Sequence, residues 1–285
     1  WIPNIFLSQE EVDAFKSEST ENDETETVNT SLIRIAPAAE SGTETADDGV
    51  ELIAITRGTA KGKLLIVRDP SRVILGVSSE EFNAKTPGLQ LTELVAKYGG
   101  VAGTNAGGFN DENGRGNGGV PQGLVISGGA LLHTAREDER YNVIGFDADH
   151  ILHVGTMTAD EALAQGLTDA VSFRTHDGLA SSLIINGEVQ SKNLGGGVNP
   201  RTAIGQCADG SVLLLVLDGR SINTLGATMQ DVADIMLEYG AVNAGNLDGG
   251  SSSVMVYDGE IINNCASVTG PRNIPTAFIV LPEGD

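Results

Sequence analysis

The stretch "ATMQDVADIMLEYGAVNAGNLDGGSSSVMVYDGEI", residues 227–261, sets a helix, a strand, a turn and a hairpin in one line. Met229, Val232, Ala233, Met236 and Leu237 keep helical spacing, Thr228 stands as N-cap with Asp231 three residues on, and Gly240 suits the left-handed position after the last turn. A short Val/Ala/Gly strand follows and runs into Asp248. Gly249 and Gly250 come next, where a ligand can approach the backbone with no Cβ in the way and free N–H groups can cradle an anionic oxygen. Asp258-Gly259 then marks a two-residue hairpin.

Residues 91–109, "LTELVAKYGGVAGTNAGGF", repeat the scheme: Leu91, Leu94, Val95 and Tyr98 on a helix, Gly99 at its end, then a short strand and a small-residue turn. In this register Asn105 matches Asn246, and Gly107 with Gly108 match Asp248 with Gly249. The reading is a duplicated helix, strand and turn whose two turns converge at the end of a shared sheet, where sites usually form.

Outward from these units, short Val/Ile/Leu-rich runs closed by Gly, Asp or Asn recur: "VELIAI", "KLLIVRD", "RVILGV", "GLVISGG", "YNVIGFD", "SLIINGEV", "SVLLLVLDG", "SVMVYDGEII" and "PTAFIVL". They predict strands, and Asn186-Gly187 adds a second hairpin turn, so much of the sheet is antiparallel. The expected fold is α+β, a mixed, largely antiparallel central sheet flanked by a few helices and preceded by an acidic N-terminal arm. Residues 1–49 read as linker or stalk, because residues 1–50 hold twelve acidic and two basic side chains and little to bury, although "LIRIA" offers an apolar edge that could pair with a sheet. Residues 50–285 form the domain.

A net charge of −22 argues against a nucleic-acid or anionic-membrane surface. Cys207 and Cys265 form no CxxC and have no histidine at zinc-ligand spacing; one bridge or two buried thiols both remain open. The serines of "GGSSS" lack the nucleophile elbow, and neither a P-loop nor an EF-hand pattern is present. The opening "WIPNIF" has no initiator Met, basic n-region or membrane-length run, and reads as part of a longer precursor.

Cationic and anionic groups leave strands together. Arg201 follows Pro200 in "GGVNPRTAIG", Asp218 and Arg220 end "LLLVLDGR", and Arg272 precedes a strand in "TGPRNIPTAF". A guanidinium receives phosphate or carboxylate bidentately. His176, beside Asp177 in "FRTHDGLASS", is the histidine placed to line a site; His133, His150 and His153 read as structural or exposed.

Taken in order, "TNAGGF", "PQGLVISGG", "NPRTAIG", "LVLDGR", "GAVNAGNLDGGSSS" and "PRNIPTAFIV" resemble the phosphodiester glycosidase family from about Val50 onward. The resemblance implies hydrolysis of a sugar joined through its anomeric carbon to a phosphodiester. It places Asn105, Arg201, Thr202, Asp218, Arg220, Asp248, Gly249, Gly250, Ser251 and Arg272 on family motifs. The chain departs where Gly108 precedes Phe109 in place of an aromatic pair, and where serines replace a third glycine.

Chemistry points the same way. A departing phosphate monoester has a second pKa near ~6, so a cationic clamp can stand in for a general acid, and a carboxylate is needed beside the oxocarbenium-like sugar. Asp248 takes that role as nucleophile, base or electrostatic partner, with Asp218 the second carboxylate or the orienter of Arg220, and Asn105 at the same centre. Arg201, Thr202, Arg220, Gly249, Gly250, Ser251, Arg272 and His176 are expected to hold the substrate. No cofactor or metal is expected, though a divalent cation is left open. The expected partner is a glycan or sugar-phosphodiester, not nucleic acid, outside the cytoplasm, with a membrane tether upstream of residue 1.

Overall fold

The computed structural model describes residues 27–35, 49–111, 116–173, 181–190, 194–219, 224–267 and 270–284. All nine apolar runs fall in strands, and every strand pairing among the described residues is antiparallel. They build three sheets where one was expected. The first has the order β1 (Val50–Arg57), β2 (Ala60–Val67), β13 (Val212–Leu217), β12 (Arg201–Cys207), β14 (Ala241–Asn246), β10 (Ser182–Ile185), β11 (Glu188–Val189). The second runs β16 (Glu260–Ile261), β15 (Met255–Tyr257), β4 (Ala102–Asn105), β17 (Thr276–Val280), β3 (Val73–Val77). The third runs β6 (Ala130–Thr134), β5 (Leu124–Ser127), β9 (Leu167–Ser172), β7 (Tyr141–Asp147), β8 (Leu152–Met157).

The sequence of β13, VLLLVL, explains the layering, because a strand apolar at every position must be covered on both faces. Leu213, Leu215 and Leu217 pack against Met229, Val232, Ala233 and Met236 of helix α3 (Met229–Glu238). Val212, Leu214 and Val216 turn the other way, into a core shared with Leu75 and Phe278 of the second sheet and Ile144 and Phe146 of the third. Helix α1 (Leu91–Lys97) covers the outer face of the second sheet with Leu91, Leu94 and Val95, and α2 (Ala159–Ala164) covers the third with Ala159 and Ala162. Three sheets thus meet face to face, each backed by one helix.

Local signals hold where they were read. Thr228 Oγ1 accepts from the Asp231 amide at 3.1 Å while the Asp231 carboxylate accepts from the Thr228 amide at 2.9 Å, and Gly240 has φ +86°. Both hairpin turns have two consecutive left-handed residues, Asn186 and Gly187 at φ 55° and 85°, Asp258 and Gly259 at 50° and 76°. The duplicated units do end in converging turns, but their strands β4 and β14 lie in different sheets. Cys207 and Cys265 are free thiols.

Of the acidic arm, residues 1–26 and 36–48 lie outside the described residues. Residues 27–35 form a strap over the first sheet: Ile33 is buried, the Arg34 amide donates to the Ala208 carbonyl at 2.8 Å, and the Asn29 amide donates to Asn186 Oδ1 at 2.7 Å. The apolar "LIRIA" edge therefore docks on a turn and adds no strand. Both anchor points are turns at the end of the sheet away from Arg201 and Asn246.

Candidate active site

Antiparallel order brings three strand ends of the first sheet together. Arg201 opens β12 opposite Leu217, the last residue of β13 before Asp218; Asn246, the last residue of β14, lies opposite Ala203. The end of β4 reaches this place from the second sheet. There the Asn105 amide Nδ2 donates to the Asp248 carbonyl at 2.6 Å, and its Oδ1 accepts from Thr202 Oγ1 at 2.8 Å and from the Val254 amide at 3.1 Å. Asp248 N–H donates to the Ala106 carbonyl at 3.0 Å, Leu247 N–H to the Thr202 carbonyl at 2.8 Å, and Gly250 N–H to the Pro200 carbonyl at 3.0 Å. Asn105 and Thr202 are both fully enclosed, so they stitch the turn in place. Three polar oxygens beside this junction, Thr104 Oγ1, Asn246 Oδ1 and Ser253 Oγ, are buried without a hydrogen-bond partner among the described residues. Each such group costs about 1–3 kcal/mol, so the junction is not arranged for stability alone.

The turn itself needs its glycines. A Cβ on Gly249 would stand 2.9 Å from the Pro200 carbonyl oxygen, and Gly250 has φ +65°. The Asp248 carboxyl accepts from the Ser252 hydroxyl and the Gly249 amide. Burial nevertheless dominates and pushes its pKa up to about 7, with Asp111 adding to the rise and Arg272 opposing it.

Arg272 is held from four sides. Nη1 donates to Ser251 Oγ at 3.2 Å, Nη2 donates to the Gly116 carbonyl at 3.0 Å and to Asp111 Oδ1, and the guanidinium carbon lies 5.1 Å from the centre of the Phe109 ring. Asp111 was not singled out in the sequence; the available signal was its place in the turn after Asn105, as Asp248 stands in the turn after Asn246.

Arg201 is placed differently. Its Nε donates to the Ala227 carbonyl at 3.2 Å and Nη2 to the carbonyls of Gly196 and Gly197 at 2.6 and 2.8 Å, while burial lowers its pKa. Only Nη1 lacks a partner among the described residues. The Asp218 carboxylate accepts from the backbone and side-chain amides of Asn264 at 3.0 and 3.1 Å, and burial followed by Asp218 raises the nearby Cys265 thiol. Arg220 and His176 lie outside the described residues. His153 is buried against Asp147 at 2.7 Å, and His133 stacks edge-on to Phe82. Among the described residues no group of three or more His, Cys, Asp or Glu side chains is placed to hold a metal ion.

The chain is 38% identical over 87 residues to the SPbeta prophage-derived protein YomE of Bacillus subtilis and 36% identical over 64 residues to N-acetylglucosamine-1-phosphodiester alpha-N-acetylglucosaminidase of Bos taurus. These matches span 30% and 22% of this chain but only 14% and 12% of those relatives' lengths. The catalytic domain of the zebrafish N-acetylglucosamine-1-phosphodiester alpha-N-acetylglucosaminidase, auto-inhibited by its pro-peptide, shares the fold with a TM-score of 0.65 at 19% identity, over 91% of this chain and 88% of that one. A protein from Burkholderia pseudomallei whose name calls it exported shares it with a TM-score of 0.56 at 17% identity, over 79% and 75%. The model of the phosphodiester glycosidase family matches residues 98–281, the segment that supplies Asn105, Arg201, Asp218, Asp248 and Arg272, and the chain belongs to that family.

Proposed function

We propose that this chain hydrolyses the glycosidic bond of a sugar-1-phosphodiester in a glycan outside the cytoplasm. The observation that carries the reading is the partly buried Asp248 carboxyl, its pKa up to about 7, in electrostatic reach of an arginine braced by Ser251 and Phe109. Asp248 faces the sugar as nucleophile or base, and Arg272 takes the charge that collects on the departing phosphate, assisted by Arg201 Nη1 and Arg220. Asn105 and Thr202 hold the Asp248 turn, Gly249, Gly250 and Ser251 line the approach, and Asp218 is the second carboxylate or orients Arg220. His176, outside the described residues, is kept as a substrate-holding candidate from its sequence motif. Water adds to the anomeric carbon, the bond from that carbon to oxygen breaks, and the oxygen leaves with the phosphate.

Location outside the cytoplasm is part of the proposal, and it is supported by the Burkholderia neighbour's being named as an exported protein. No described helix is long and apolar enough to cross a membrane.

The test is product analysis on a panel of sugar-1-phosphodiesters in ¹⁸O-water. Free sugar carrying the label at its anomeric hydroxyl is expected. Label in the phosphate, with activity lost in chelator, means attack at phosphorus by a metal-dependent phosphodiesterase; glycan affinity with no sugar released means a binding module.

A further inference from the structure

Asp111 has a place in this site that neither its own motif nor the strand ends announced. It is one of two charged groups that act on Asp248 among the described residues, the other being Arg272. Its carboxylate is bonded to Arg272 Nη2, on the side of the guanidinium away from Ser251, whose hydroxyl takes Nη1. The pair is asymmetric: the Arg272 side chain is 12% exposed and that of Asp111 45%. The cation is therefore enclosed, and Asp111 is its counter-charge toward solvent. Arg201 is bonded through Nε and Nη2 to the carbonyls of Ala227, Gly196 and Gly197, and Asp218 to Asn264, so neither is paired with Arg272.

We propose that Asp111 is a positioning residue of this centre: its carboxylate fixes the Arg272 guanidinium between Phe109 and Ser251, at the turn that carries Asp248, and balances the cation's charge there. Here the same guanidinium bridges Asp111 to Ser251, three residues from Asp248, and the two charges pull the Asp248 proton in opposite directions. The inference rests on the reading of Asp248 as the reacting carboxylate, and its test keeps the two apart.

The test is titration of the Asp248 carboxyl by ¹³C NMR, assigned with Asp248→Asn, alongside kcat/KM against pH on the probe methyl N-acetylglucosamine 1-phosphodiester. In Asp111→Asn the midpoint is expected to fall by about half a pH unit or more, the acid limb of kcat/KM moves down with it, and Asp111→Glu restores both. Should Asp111→Asn fail to fold, Arg272→Gln gives the opposite test and the midpoint rises. A folded Asp111→Asn, or Arg272→Gln, with an unmoved midpoint overturns the proposal. A moved midpoint in a protein that releases no sugar leaves the Asp111 coupling standing and sinks the glycosidase reading instead.

Discussion

The role proposed for Asp248 ties activity to stability. Its folded pKa, raised by burial from 3.8 to about 7, means that the native state keeps a proton between pH 4 and 7 that the unfolded chain has lost. Stability therefore falls as pH rises through that window, and at pH 8 the ionised carboxylate costs roughly 2–4 kcal/mol. Asp248→Asn removes the cost: urea unfolding is expected to show the variant more stable than wild type at pH 8 and about equal to it at pH 4, while kcat/KM falls about 100-fold or more. A variant with full turnover would remove the carboxylate from the mechanism. Asn105, Asp248 and Arg272 were legible because each sits at a strand end beside residues whose backbone chemistry is unusual, glycine or Gly-Pro. Asp111 was not, since its importance comes from a bond to a residue 161 positions away, and the carbonyl partners of Arg201 were hidden for the same reason.

Helix α3 begins on a reciprocal pair of Thr228 and Asp231 bonds, and its ordinary worth can be measured. Thr228→Ala is expected to lower stability by about 1 kcal/mol in denaturant titration with the m-value unchanged. This helix and the two Asn-Gly and Asp-Gly hairpins could be read in advance because each is decided by neighbours in sequence. Helix α2 was missed although Thr158 and Glu161 form the same capping arrangement, because six residues, "ADEALA", are too few to display a period. Strands β6, β8 and β9 were missed as well; β9, "LTDAVS", carries Thr168 and Asp169 among its apolar residues and so lacks a continuous run.

At the scale of the molecule, the antiparallel character of the pairing was legible, while the expected single mixed sheet is in fact three sheets, antiparallel throughout among the described residues. Strand β17 pairs with β3 and β4, partners about 170 to 200 residues earlier, and no local signal chooses such partners. What could be read was that β13 needs cover on both faces, and the answer is a helix on one and two further sheets on the other. Leu214, wholly enclosed where the three sheets meet, is expected to cost 2–5 kcal/mol as Leu214→Ala in calorimetry or denaturant titration. A smaller loss would mean that this core is loosely packed.

The strap of residues 27–35 has a practical corollary. It clamps the sheet at turns on one pole, and β12 spans seven residues, about 20 Å, from there to Arg201 at the other. A dye or bead coupled at the strap itself therefore sits a strand's length from Arg201, and immobilised protein is expected to keep the turnover of the free protein.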